Sequence, residues 1–341
     1  MNHLPKLKIA VVGAGRIGKI HAETIARRVP QAELAGVADV VEAAARETAV
    51  QYDVPYTTDY HEFLHDSHID AIAICSATHT HTQIIQEAAA AGKHIFCEKP
   101  IDHDLKKIDA ALTAVAQANI KFQVGFNRRF DANFRKVRQM ITEGKIGQPH
   151  ILRITSRDPA PPPIAYIKVS GGIFLDMTIH DFDMARYLIG SEVEELFVAA
   201  GVMVDPAIGK AGDLDTAVIT LKFTNGVIGT IDNSRQAVYG YDQRVEVFGE
   251  KGMVAVGNNT PDTHIYANAD GIHSAKPLYF FLERYMDSYI AEMQAFVEAV
   301  VTDKEPPVGG QDGRIPVVMG LAARKSWEEN RPVRLSEISP T

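Results

Sequence analysis

The sequence predicts an α/β domain with a doubly wound parallel sheet, followed by an α+β domain built on a mostly antiparallel sheet. Three observations carry this. From residue 7 to about 126, short β-branched apolar runs alternate with helical stretches, the order of a parallel sheet with helical crossovers. After about residue 127, strand runs separated by turn signals take over. The chain has 341 residues, too many for one ordinary core. The boundary is placed so that residues 1–127 form the first domain and 128–341 the second.

The first strand is residues 7–12, LKIAVV, a buried parallel type. Gly13-Ala14-Gly15-Arg16-Ile17-Gly18 follows, then a helical pattern through Ile20, Thr24, Ile25 and Arg28. A second apolar run, 33–38, ends in Asp39, which lies 21 residues past Gly18. Strand, G-x-G-x-x-G turn, helix, strand and acid is the order of a dinucleotide-binding (Rossmann) unit. Gly13 makes the tight turn, Gly15 lets a pyrophosphate approach the backbone, and Gly18 lets the helix pack on its strand. The helix N-terminus supplies N–H groups to phosphate. Asp39 can accept from both ribose hydroxyls and repels a 2′-phosphate, and Val40 and Val41 offer no arginine to hold one. NAD is therefore expected rather than NADP. The competing reading of Asp39 is a solvated acid at a strand end.

Strands are expected at 71–75, 94–97 and 121–126, with helices at 82–91, stopped by Gly92, and at 105–118. In the second half, 134–143 reads as a helix closed by Gly144, and 151–156 as a strand. Asp158-Pro159-Ala160-Pro161-Pro162-Pro163 must be a stiff loop. A helix is expected over 176–188, ending at Gly190. Strands follow at 193–204, 216–223, 227–234 and 243–248, with Asn225-Gly226 as a hairpin signal. Residues 285–301 and 315–329 are amphipathic helices.

Two clusters can carry chemistry. Glu98-Lys99-Pro100 directly follows the strand at 94–97, and ligands bind at the carboxyl ends of parallel strands. Lys99 there either reaches a cofactor–substrate crevice or is a solvated charge. In Gly171-Gly172-Ile173-Phe174-Leu175-Asp176-Met177-Thr178-Ile179-His180-Asp181-Phe182-Asp183, Asp176 and His180 are four apart and would share one helix face. They suit a base and its orienting partner. The bland alternative is a capping aspartate and a satisfied core histidine.

Bulk properties narrow the classes. The formal charge is -8, against a nucleic-acid footprint. Hydrophobic content of 46% with 23% charged residues fits a globular chain. No apolar run approaches the ~20 residues a membrane span needs, and residues 1–8 hold no signal-peptide core. Cys75 and Cys97 sit in apolar strand runs, which points to a reducing compartment and a cytoplasmic location. His61-Glu62-Phe63-Leu64-His65 matches the H-E-x-x-H zinc motif but lies in a crossover without an obvious third ligand. No metal is expected there, nor at His79 and His81.

With these motifs in hand, the chain resembles the glucose–fructose oxidoreductase/inositol dehydrogenase (Gfo/Idh/MocA) family over essentially its whole length. The Gly13–Gly18 loop, Glu98-Lys99-Pro100 and the 171–183 stretch occur in the family's order and spacing. Phe126-Asn127-Arg128-Arg129-Phe130-Asp131, residues 156–163 and residues 166–172 look like its bacterial inositol dehydrogenases. The resemblance implies a catalytic triad of Lys99, Asp176 and His180, with His180 as general base, Asp176 orienting it and Lys99 holding the reacting oxygen. It implies polyol contacts at Arg129, Asp158 and Tyr239. It places Arg16 and Ile17 at the pyrophosphate, with Ser76, Thr78, Glu98 and Lys99 also lining the cofactor. Ser76-Ala77-Thr78 stands where many members carry Thr-Pro-Asn, which keeps a hydroxyl there. The implied reaction is NAD-dependent oxidation of a secondary alcohol of a cyclic polyol, foremost myo-inositol to its 2-ketone, with no metal. Scyllo-inositol or a pyranose sugar is the alternative substrate, and a non-catalytic NAD-binding sensor the rival from another class. The resemblance also implies a homotetramer.

Overall fold

The computed structural model describes residues 6–339. They form two compact units: the residues up to Phe130 with Asp287–Ile315, and Asp131–Met286 with the residues from Pro316 on.

The first unit holds a six-stranded, all-parallel sheet. Its strands are β1 (Leu7–Val12), β2 (Ala32–Ala38), β3 (Tyr56–Thr57), β4 (Ala71–Ile74), β5 (His94–Glu98) and β6 (Phe122–Gly125), in the order β3-β2-β1-β4-β5-β6. The crossovers are α1 (Arg16–Arg27), α2 (Glu42–Val50), α3 (His61–His65), α4 (Thr78–Ala90) and α5 (Leu105–Ala118). The strand order reverses between β1 and β4, and such a switch point opens a crevice at the strands' carboxyl ends. A single cut between residues 127 and 128 does not capture the return of 287–315 to this unit. The reason is packing: Met293, Phe296 and Val297 are fully buried in one core with Ile9, Val11 and Phe96.

The second unit begins with α6 (Ala132–Thr142), β7 (Pro149–Arg157), α7 (Ile164–Ile167), α8 (Ile173–Asp176) and α9 (Thr178–Ile189). Then come β8 (Val193–Gly201), α10 (Pro206–Lys210), β9 (Thr216–Phe223), β10 (Ile228–Ser234), β11 (Asp242–Gly249), β12 (Gly252–Val256) and the hairpin β13 (Ile265–Asn268) and β14 (Gly271–Ser274). The chain closes with α11 (Phe281–Val301), α12 (Gly310–Glu329) and β15 (Val333–Arg334). The seven-stranded sheet runs β12-β11-β7-β10-β9-β8-β15 and is antiparallel except for β7 beside β10. Strand alternation is clean: in β9 Ala217, Ile219, Leu221 and Phe223 are buried, while Val218, Thr220 and Lys222 are exposed. One face packs on helices, with Ile179, Phe182 and Leu188 of α9 buried. The other face stays open and carries Ile151, Val218, Ile228 and Phe248 exposed.

The helix expected over 176–188 is broken. Asp176 ends α8, Met177 has φ -95° and ψ -60°, and His180 lies in the first turn of α9. Asp176 and His180 therefore do not sit one turn apart on a continuous helix. Residues 158–163 contain neither helix nor strand, as their prolines require.

Candidate active site

In the first unit, the glycine loop crosses the carboxyl ends of β1 and β4. A Cβ on Gly13, at φ +103°, would stand 2.5 Å from the Ser76 nitrogen. One on Gly18 would stand 1.7 Å from the Gly13 carbonyl oxygen, so α1 can seat on its strand only with glycine there. Gly15 differs: nothing lies within 4 Å of its Cβ position. It caps α1 without a side-chain hydrogen bond, so the helix's first N–H groups face a space with no side chain at the cap. These features fit a pyrophosphate approaching the backbone.

Asp39 follows β2 and closes on this loop. Its Oδ2 accepts from the Ala14 N–H at 2.7 Å and its Oδ1 from the Val41 N–H at 2.8 Å. Val40 and Val41 are exposed beside it, with no cation between them. Ser76 Oγ is 2.7 Å from Thr80 Oγ1, and Thr78 opens α4.

Lys99 follows β5, and the Lys99–Pro100 peptide is cis. The preceding residue, Glu98, turns its carboxylate inward to His21. His81, at the start of the expected helix where it could cap or touch the cofactor, is buried between the Pro100 carbonyl at 2.9 Å and the Ser76 carbonyl at 3.0 Å. Burial pushes its pKa down, so at neutral pH the ring is uncharged and donates to one of the two. The ring thereby packs between the segment after β5 and the segment after β4. Arg129 belongs to this unit as well and donates through Nη2 to Asp312 Oδ1 at 2.8 Å.

The second unit holds Asp158, Asp176, His180 and Tyr239. The Asp176 carboxylate accepts from the Tyr166 hydroxyl at 2.8 Å and from Arg235 Nη1 at 3.3 Å. Desolvation of the hydroxyl, then the Asp176 charge, push the Tyr166 phenol up, so it stays protonated and donates. Arg235 is only 1% exposed and reaches Asp213 through Nη2 at 3.5 Å. Asp213 Oδ1 in turn accepts from the Ile173 N–H at 2.9 Å, fixing the start of α8. Tyr166 and Arg235 were not singled out from the sequence; only a buried arginine's need for carboxylate partners points to the latter, and burial is a tertiary fact.

His180 stands where α9 begins, and that end is pinned by buried polar bonds. Thr178 Oγ1 donates to Asn233 Oδ1 at 2.6 Å, and Asn233 Nδ2 donates to Asp181 Oδ2 at 2.8 Å. Tyr239 donates to Asp242 Oδ2 and accepts from Arg157 Nη1 at 3.3 Å. Burial works to raise the Asp242 pKa, but hydrogen bonds from Arg244, Tyr239 and Asn258 outweigh it and hold it low. The Asp158 carbonyl accepts from the Ala237 N–H at 2.6 Å, which seats the proline-rich loop beside residue 237.

His61 of the H-E-x-x-H segment pairs with Asp59 and lies 3.2 Å from Glu87, on the five-residue α3. Among the described residues, a different group of three brings potential ligand atoms together: His21, Glu98 and Glu292.

Residues 7–126 match the profile of the oxidoreductase family with an NAD-binding Rossmann fold, and residues 134–255 that of the GFO/IDH/MocA C-terminal domain. A myo-inositol 2-dehydrogenase of Thermotoga maritima is 50% identical over 333 residues, 97% of this chain and 99% of that protein. An inositol 2-dehydrogenase of Rhizobium meliloti is 45% identical over 332 residues, 97% and 99% of the two chains. The crystal structure of a scyllo-inositol dehydrogenase from Lactobacillus casei, with bound NAD(H) and scyllo-inositol, superposes with a TM-score of 0.91 at 32% identity, over 97% and 99% of the chains. The chain belongs to the Gfo/Idh/MocA oxidoreductase family, and its N-terminal domain is an NAD-binding Rossmann domain.

Proposed function

We propose that this member of the family is an NAD-dependent dehydrogenase that oxidises one ring hydroxyl of an inositol, myo-inositol before others, to the 2-ketone. The observation that carries this is half-identity, over nearly the full length of both chains, to a myo-inositol 2-dehydrogenase, with Lys99, Asp176 and His180 all present.

The residues that would hold NAD are the Gly13–Gly18 loop, including Arg16 and Ile17, with Asp39, Ser76, Thr78 and, at the end of β5, the backbone of Glu98 and Lys99, the Glu98 carboxylate being turned inward to His21. The nicotinamide, when bound, supplies the two-electron acceptor. His180 takes the hydroxyl proton as the carbon–hydrogen bond of the same centre breaks. The Lys99 ammonium holds that oxygen and stabilises the negative charge developing on it. Asp176 orients the base, and its charge is balanced by Arg235 and its geometry set by Tyr166. Arg129, Asp158 and Tyr239 would read the remaining hydroxyls.

Mixing the protein with NAD and a polyol panel and following the reduced-nicotinamide absorbance tests the reading. Reduction with myo-inositol supports it. Turnover with scyllo-inositol alone moves the substrate to the alternative named above. NAD binding with no turnover on any polyol or sugar means a sensor.

The homotetramer is part of the same reading. What supports it is the open sheet face with exposed Ile151, Val218, Ile228 and Phe248, a surface suited to a second copy. Light scattering on purified protein decides the copy number. A cytoplasmic location agrees with two unpaired cysteines, and no helix among the described residues is long and apolar enough to cross a membrane.

A further inference from the structure

A buried polar cluster lies behind the Lys99-bearing strand end. His21 on α1, Glu98 on β5 and Glu292 on α11 bring polar atoms within 4.8 Å of one another. His21 and Glu292 are fully buried. His21 Nε2 donates to Glu98 Oε1 at 2.7 Å, and its ring lies 4.8 Å from that of Phe96 and edge-on to Tyr289. Gln123 Nε2 donates to the Glu292 backbone carbonyl at 2.8 Å. Among the described residues, none hydrogen-bonds either Glu292 carboxyl oxygen or His21 Nδ1. Glu98 pairs across the sheet with Gly125, where a Cβ would stand 3.1 Å from Glu98 Cδ. Glycine on the neighbouring strand thus makes room for this carboxylate.

We propose that Glu98 is a positioning residue for Lys99, clamped by His21, and that Glu292 completes the cluster as an uncharged acid. The first half rests on the catalytic reading of Lys99 given above. Successive side chains leave an extended backbone on opposite sides, so fixing Glu98 inward fixes the direction in which the next residue leaves the strand end. The clamp also joins β5 to α1, the helix that opens from the glycine loop. The two carriers of the proposed chemistry in this unit, phosphate loop and lysine, therefore share one buried anchor.

The second half follows from charge. Two carboxylates this close in a buried site do not both ionise without a cation. Burial, then the neighbouring Glu98 charge, push Glu292 far above its ordinary value. Cys75, close to both carboxylates, and Cys97, next to Glu98 in the chain, are pushed up by burial and add no charge. A metal ion fits less well than a proton. Ligand atoms around one tetrahedral ion stand more than ~3 Å apart, whereas His21 Nε2 and Glu98 Oε1 are 2.7 Å apart.

The test is a double-mutant cycle with an infrared arm, on the full chain. Glu98→Gln should lower kcat about tenfold or more with the NAD dissociation constant held, and change kcat less than about twofold in a Lys99→Ala background. A wild-type kcat in Glu98→Gln, or the same loss in both backgrounds, overturns the positioning role. Full turnover by Lys99→Ala itself would instead sink the reading of Lys99. Should Glu98→Gln fail to fold, Glu292→Gln carries the test, since an amide replaces a neutral acid isosterically. It should keep kcat near wild type and remove one protonated-carboxyl stretch from the infrared spectrum at neutral pH. A large loss of kcat in Glu292→Gln, absence of that band in the wild type, or stoichiometric bound metal lost with Glu292 each overturn the neutral-acid assignment.

Discussion

Replacing Glu292 with glutamine removes one titrating proton and keeps the side chain's shape, so its effect on stability reads the charge state of the buried cluster. The ordinary glutamate pKa is 4.5, and in the folded chain burial and the Glu98 charge raise it well above that. Above pH 4.5 the unfolded chain releases this proton while the folded chain keeps it. Folding then requires proton uptake. The contribution of Glu292 to stability is present in full below the unfolded value and is lost as pH rises toward the folded one. Within that window the loss is about 1.4 kcal/mol for each pH unit. With about 2.1 cal/mol/K of unfolding entropy per residue, 341 residues melting together convert it to roughly 2 °C per pH unit. The figure is roughly doubled if the first unit melts alone. Glutamine has no such dependence. Thermal melts of wild type and Glu292→Gln between about pH 5 and 8, at fixed ionic strength, should show the variant gaining on the wild type as pH rises. Titrations common to both proteins cancel in the difference, and Glu98→Gln serves as a control for coupling to the neighbouring carboxylate. A difference that stays flat or shrinks with rising pH would mean that Glu292 is ionised in the native state, and the reasoning would fail.

Lys99→Ala and His180→Ala should each lower turnover about 10²–10⁴-fold while NAD still binds; a near wild-type rate in either would remove it from the catalytic set. Arg235→Met leaves the Asp176 and Asp213 carboxylates without their buried cation, and the melt should report a loss of about 3–5 kcal/mol. An unchanged melting temperature would mean the guanidinium does not hold these acids. Asp39→Ala combined with Val40→Arg should shift the NAD/NADP dissociation-constant ratio toward NADP, and an unmoved ratio would take Asp39 out of the ribose site. Gly15→Ala has open space around its new methyl, so it should fold normally and bind NAD more weakly; Gly18→Ala meets the Gly13 carbonyl and should lose folded protein, seen as a lower yield and melting temperature. Equal behaviour of the two variants would contradict the loop geometry.

What the sequence determined by itself is whatever local periodicity and turn chemistry encode. Residues 7–12 had to be a buried strand, the glycines of 13–18 a tight turn, and 216–223 a strand, because the repeat of apolar positions and the backbone freedom of glycine act over a few residues; that one face of 216–223 stays open is not in its pattern, since apolar residues fall at both phases and Val218 is nonetheless exposed. That is why the doubly wound sheet, the mostly antiparallel second sheet and the stretches bearing Lys99, Asp176 and His180 were legible before any coordinates. Local pattern also misled where two readings coincide. Asp176 and His180 carry helical spacing, yet α8 ends at Asp176 and α9 begins at Thr178, so the two residues stand in different helices. Only the tertiary structure decided the partners. Arg235 reaches Asp176 across 59 positions, His21 reaches Glu98 across 77, and 287–315 returns to the first unit's core. No short-range signal marks such pairs, because a buried charge or an apolar helix face is satisfied by whichever complementary group the packing brings to it, and packing is a property of the whole chain.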